Sequence, residues 1–232
     1  MKRLTIFAAL IIAAVVIFQL AYPSATVRYR LTLEADVDGK PATGSGVVEV
    51  SYRANPQLLG ASAQIGIEVR GEAVSLNLGQ GLIFAMLAQG NHVRSGPENI
   101  VPFLFGLTKG GIGPADFSSI RALSGRRNLP LELLPALVRF DDPRDPSTAK
   151  SVDASSLGLG ATFRSASVEI VDAGYWPLTI IGVTGVPVTR EIAQKLPWAT
   201  NESSRLVFWR ALYSSGFRPN GSEEIKMLLT QP

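Results

Sequence analysis

Cysteine is absent from the chain and histidine occurs once, at position 92. Disulfides, thiolate metal sites and centres built on several histidines are therefore excluded, and no cysteine is present to carry an N-terminal lipid. A charge surplus is also missing from the body of the protein. Removing Lys2 and Arg3 from the 22 basic residues leaves 20 against 19 acidic ones. Nucleic-acid recognition needs a clustered basic face to displace counterions, so no nucleic-acid partner is expected. Equally absent are a G-x-S-x-G elbow, a G-K-[ST] phosphate loop and the D-x-D-x-D-G calcium spacing. No motif names a reaction or a cofactor.

What is present begins with an uncharged apolar run from Leu4 to Ala21, preceded by Met1-Lys2-Arg3 and broken at Tyr22-Pro23. At about 1.5 Å per residue it is roughly 27 Å long as a helix, close to the thickness of a bilayer's hydrocarbon core. Leu4, Ile6, Phe7, Leu10, Ile11, Ile12, Val15, Val16, Ile17, Phe18 and Leu20 form the expected lipid-facing set, with Tyr22 at the interface and Pro23 ending the helix. A cleaved secretory signal is the rival reading. The exit QLAYPSAT offers no A-x-A-like site, because Gln19 and Pro23 stand where small residues are needed before Ala21 and Ala25. An uncleaved single-pass anchor is expected. A short N-terminal tail stays behind easily and a long following domain translocates regardless of charge. The expected placement is therefore the inner (plasma) membrane, with a cytoplasmic N-terminus and an extracytoplasmic domain.

Beyond residue 23, period-two alternation predicts strands. Val27 to Val37 sends Val27, Tyr29, Leu31, Leu33, Ala35 and Val37 to one side and Arg28, Arg30, Thr32, Glu34 and Asp36 to the other. Gly46 to Tyr52 is expected as its hairpin partner across the connection DGKPATGS, with Ser45 in the flexible end. Ala63–Val69 and Ala73–Leu78 read as strands around a turn at Arg70-Gly71-Glu72, and Leu82–Leu87 as a buried strand. Asn91 to Pro102 reads as loop and Phe103–Leu107 as another strand. A short helix is expected over Asp116–Leu123. Leu131 to Phe140 reads as a helical turn broken by Pro135 before a strand, and the following DDPRDPSTAKSVDASS reads as a polar loop. Strands are expected over Arg164–Val171 and Leu178–Val183, and a short helix from Thr189 to Leu196, stopped by Pro197. Arg205 to Tyr213 is a mixed segment, and Ile225–Leu229 could dock from the polar tail. The prediction is a mainly β protein with short helices (α+β), an antiparallel sheet or sandwich-like domain behind one transmembrane helix. Its parts are an anchor (1–23), a β-rich domain (24–200) and a C-terminal extension (201–232).

The stretches LPALVRFDDPRDPSTAKSVD (Leu134 to Asp153) and VPVTREIAQKLPW (Val186 to Trp198), with the opening YRLTLEADVDG…GSGVVEV, carry a resemblance. They resemble a group of proteobacterial proteins held by one N-terminal helix, in which an LP-x-LV-x-F strand, a D-x-x-DP loop and a PVT…LPW element recur in that order. The group has no assigned activity, so the resemblance implies architecture and no chemistry. The chain departs from it around Gly174 to Gly182 and after Ala199.

Candidate chemistry is sparse. Asp141, Asp142 and Asp145, with Asp153, could offer hard oxygen ligands to a cation. Asp before Pro is equally a turn device, and Arg144 can neutralise part of the cluster. The expectation is that these carboxylates tie loop amides to the strand ending at Phe140. His92 reads as a surface residue. KGGIGPADF could hold an anion on its amides, but Asp116 puts a negative charge there. Trp176, Trp198 and Trp209 could mark a carbohydrate or partner surface but read more simply as core anchors. The expected function is a membrane-anchored envelope binding or scaffold component, its partners the lipid bilayer and another envelope protein. The alternative is a membrane-anchored hydrolase in which Glu34, Asp141 or Glu169 would meet in a cleft.

Overall fold

The computed structural model of the chain describes residues 22–55, 65–174, 183–217 and 230–231. The Leu4–Ala21 run, Trp176, most of the expected Leu178–Val183 strand and Ile225–Leu229 lie outside them. Among the described residues, no helix is long and apolar enough to cross a membrane. The fold is mainly β, two antiparallel sheets with a few short helices.

The alternation read in the opening segment sets the first sheet. Strands β1 (Ser24–Val37) and β2 (Lys40–Ala54) pair from Ser24↔Arg53 to Val37↔Lys40. The connection is therefore only Asp38-Gly39, shorter than the eight-residue segment DGKPATGS suggested. Both residues have positive φ, 49° and 76°, which is the type I′ hairpin geometry that Asp-Gly tolerates and that matches strand twist. Gly44, Ser45 and Gly46 consequently lie inside β2 and not at a flexible hairpin end. Strands β3 (Ile65–Glu72), β9 (Ala161–Val171), β6 (Arg126–Asn128) and β10 (Thr230–Gln231) complete the order β10-β3-β2-β1-β9-β6. The expected turn at Arg70-Gly71-Glu72 does not form. β3 runs through it, and the chain then passes to the second sheet.

That sheet has the order β4-β5-β7-β8, from β4 (Val74–Asn77), β5 (Leu82–Ala85), β7 (Leu137–Phe140) and β8 (Ala149–Val152). β8 falls within the segment read as a polar loop, because AKSV carries too little apolar alternation to declare itself. Ala25, Val27, Tyr29, Leu31 and Leu33 of the first sheet share one core with Val74, Leu76, Ile83, Ala85 and Leu137 of the second. The opposite face of the second sheet presents Phe84, Val138, Phe140 and Ala149 to a second core. Burial on both faces explains why Leu82 to Leu87 is apolar without alternation.

The second core is closed by helices α3 (Ile192–Lys195) and α4 (Glu202–Ser214), through Ile192, Leu196, Trp198, Phe208, Trp209, Leu212 and Phe217. Phe140 stacks on Phe208 at 5.7 Å between ring centroids and meets Phe84 edge-on at 5.5 Å. Trp198 donates its indole N–H to the Pro143 carbonyl at 2.8 Å. The segment read as mixed is thus a thirteen-residue helix. Its N-cap is Asn201, whose side chain accepts from the Ser204 amide at 3.1 Å. Thr189 does not open helix α3 as expected. Its hydroxyl accepts from the Val47 amide at 2.8 Å, and the Glu72 carboxylate accepts from the Glu191 and Ile192 amides at the helix start.

The segment read as loop and then strand is instead helix α1 (Pro97–Leu104). Pro97 is preorganised for the first turn. Pro102 lacks the amide that would bond the Glu98 carbonyl, which is why the sequence reads poorly as helix. The structure supplies a replacement donor, the Tyr52 hydroxyl, at 2.5 Å from that carbonyl, and Tyr29 donates to the Pro97 carbonyl at 3.1 Å. Burial pushes both phenols far above their ordinary range, so each stays a donor. Tyr52→Phe is expected to cost about 1–2 kcal/mol, by orphaning a buried carbonyl. Adding Pro102→Ala, which restores a backbone donor to the same oxygen, should recover part of that loss in urea unfolding. Downstream, helix α2 (Phe117–Arg121) lies within the span expected and buries Phe117 and Ile120.

Candidate functional site

The side chains singled out for chemistry are dispersed and engaged. Asp141 bonds Lys150 at 2.7 Å and Arg139 at 2.9 Å. The Lys150 hydrogen bond, more than the nearby Arg139 charge, holds its carboxyl below the usual carboxylate range. Asp142 accepts from the Arg144 amide and Asp145 from the Ser147 amide, each at 2.9 Å. These are turn-forming bonds, each taking one oxygen of its carboxylate. Among the described residues, no group of three or more His, Asp or Glu is placed to hold a metal ion.

Glu34 accepts from the Ser165 hydroxyl at 2.7 Å, and Glu169 pairs with Arg30 at 2.9 Å. The register sets Glu34 opposite Ser165, so the two carboxylates are roughly 13 Å apart at about 3.3 Å per residue along β9. Asp141 follows β7 in the other sheet. Glycosidase-type pairs need about 5–10 Å, and these three do not meet. In the glycine-rich turn, Asp116 accepts from the Gly113 amide at 2.9 Å, while the Thr108 hydroxyl accepts from the amides of Gly110 and Gly111. These three amides already have partners.

Lys195 and Ser75 form a pair that no motif announces, 120 residues apart, with Nζ donating to Oγ at 2.5 Å. A serine–lysine dyad acts as nucleophile and base only when the amine is neutral. Here Lys195 Nζ is the donor to Ser75 Oγ and is also paired with the Glu191 carboxylate, the opposite of the direction in which a base would take the hydroxyl proton.

A cleft of about 600 Å3 lies where the ends of β7 and β8 diverge. The β5–β7 pairing extends past the strands, through Met86 N–H to Ala136 at 2.8 Å and Ala136 N–H to Ala88 at 3.2 Å. The chain then turns at Gly90. A Cβ there would lie 2.5 Å from the Leu134 carbonyl, so the two walls approach as closely as glycine allows. The Ser95 hydroxyl pins the turn, accepting from Gly90 N–H at 2.7 Å and donating to the His92 carbonyl at 2.6 Å. This brings Asn91 and His92 to face Ser151 near the end of β8 and Asp153 and Ser155 beyond it.

Asp153 is the ionised group of the cleft. Its Oδ1 accepts from the Ser155 hydroxyl at 2.5 Å and from the Ser155 and Ser156 amides at 2.8 and 3.0 Å. The Ser155 hydroxyl, ahead of the amides, holds the carboxyl below the usual carboxylate range. Oδ2 has no hydrogen bond among the described residues. Neither does the His92 ring. Because the Ser155 proton points at Asp153 and not at an imidazole, the three do not form the nucleophile–base–orienter order of a hydrolytic triad. The sequence could mark Asp153 and His92 singly, but only the β7–β8 pairing shows that they share a cleft. No family model, curated protein or solved structure matches the chain.

Proposed function

We propose that the chain is a membrane-tethered, extracytoplasmic module of the cell envelope that acts by binding and not by catalysis, as a member of the single-pass group its motifs resemble. The observation that carries the reading is a contrast. Glu34, Glu169, Asp141 and the Ser75–Lys195 pair are each held by a structural partner, whereas the cleft keeps polar groups with spare bonding capacity. That is the disposition of a preorganised binding site.

The tether is supported by where the sheet begins. β1 starts at Ser24, directly after the apolar run, and the pairing places the end of β2, the start of β3 and the end of β9 at the same end of the sheet. The sequences that leave that end, PQLLGASAQ (56–64) and YWPLTIIG (175–182), carry no charged residue. An end of that composition suits a bilayer surface.

The test is a full-length chain with a C-terminal reporter active only outside the cytoplasm. Reporter activity, together with recovery in the membrane pellet with Met1 retained, is the expected result. A reporter active only in its cytoplasmic format overturns the topology, and an uncleaved product left in the supernatant overturns the tether.

A further inference from the structure

We infer that the cleft between the residue 90–92 turn and Ser151–Ser155 takes an uncharged, polyhydroxylated ligand, a short oligosaccharide. The inference rests on the cleft being the binding site of the proposed module. Its volume of about 600 Å3 falls in the range of small-molecule sites. Among the described residues its lining includes no Lys or Arg, and Asp153 is the one carboxylate among them. A phosphate or carboxylate ligand would meet a like charge with no basic side chain among the described lining residues to offset it.

What lines the cleft instead are groups that both donate and accept. The Asn91 amide, the His92 imidazole and the Ser151 hydroxyl match sugar hydroxyls, which do the same, and the Ser155 hydroxyl, its proton given to Asp153, keeps its lone pairs to accept. Asp153 adds a fixed acceptor. With Oδ1 held by Ser155 and Ser156, Oδ2 is free to take a charge-assisted bond from a ligand hydroxyl. At the rim, Leu131 is 62% exposed beside Leu134 and Pro135, an apolar surface for the C–H face of a sugar ring. A cationic ligand is disfavoured by the same inventory, since the described lining residues offer a single carboxylate and no open aromatic face. The Phe217 ring is buried against Trp209.

The test uses the full chain in a zwitterionic detergent without a sugar headgroup, followed by amide NMR. The probes are N-acetylglucosamine tetramer, maltotetraose and cellotetraose, with inorganic phosphate and spermidine as comparators. At least one saccharide is expected to shift the Gly90, Asn91, Asp153 and Ser155 amides saturably. Asp153→Asn, which keeps an acceptor for the serine amides, should weaken it about tenfold, the loss of one charge-assisted bond. His92→Ala, at an exposed position, is a second variant with the same expected direction, and undisturbed signals elsewhere report that each variant is folded. Saccharide shifts confined to other surfaces overturn the inference. Saturation by spermidine or phosphate alone also overturns it but leaves a binding cleft. Silence from all five probes overturns both the inference and the reading of this cleft as the site.

Discussion

Gly44→Ala is expected to lower the unfolding free energy by about 3 kcal/mol, the upper end of what overpacking costs, a large fraction of the roughly 5–15 kcal/mol that holds a domain together. A Cβ at Gly44 would lie 2.0 Å from the Ser75 carbonyl oxygen and 2.9 Å from the Leu76 Cα. These are backbone atoms of β4, which no rotamer change can move away. Gly44 sits opposite Leu33 on the inner face of β2, where the first sheet crosses the second. Added volume there must push the two sheets apart along their shared core. Gly110→Ala is the control, since nothing lies within 4 Å of its Cβ position, and it should stay within about 0.5 kcal/mol. Urea unfolding of the two variants checks the pair. Equal, small effects would mean that the sheets do not cross at Gly44.

The same glycine shows why some of this fold is legible in sequence and some is not. Strands with one wet face declare themselves, so β1 and β9 follow from alternation alone. The β1–β2 hairpin is legible too, but its connection reads as the eight residues DGKPATGS because glycine is the ordinary mark of a flexible turn. In β2 it marks the close approach of another strand, a fact held in β4 and not in the local sequence. Helix α1 was hidden by Pro102, whose cost is offset by a tyrosine fifty residues earlier in the chain. Helix α4 was obscured because Leu206, Val207 and Tyr213 remain exposed and blur its apolar face. Asp142 and Asp145 could be read as turn carboxylates, because Asp-Pro chemistry is local. The cleft could not be read, since its walls are joined only by the β5–β7–β8 pairing.

Alternation also assigned Arg28 to the wet face of β1, which underlies the second large effect. Glu49→Gln is expected to destabilise by about 3 kcal/mol, because truncating one partner of a buried ion pair leaves the other charge uncompensated. Arg28 and Glu49 lie across β1 and β2 at 2.6 Å, each only 6% exposed. The segment that covers them is remote in sequence. Arg28 Nη1 donates to the Val186 carbonyl at 2.7 Å, Val186 N–H bonds Asp172 at 2.9 Å, and Thr189 exchanges bonds with Val47. Water is thereby kept from the pair, and added salt should alter the effect little. Arg70 reaches the same carboxylate at 3.7 Å from a half-exposed position, and Arg70→Ala should cost under about 1 kcal/mol. The decisive measurement is a double-mutant cycle with Arg28→Met and Glu49→Leu. Each single change should cost several times more than the pair together, since removing both charges also removes the desolvation that each imposes. Additive losses would show instead that the two residues act independently, and that the 183–189 segment does not seal them from solvent.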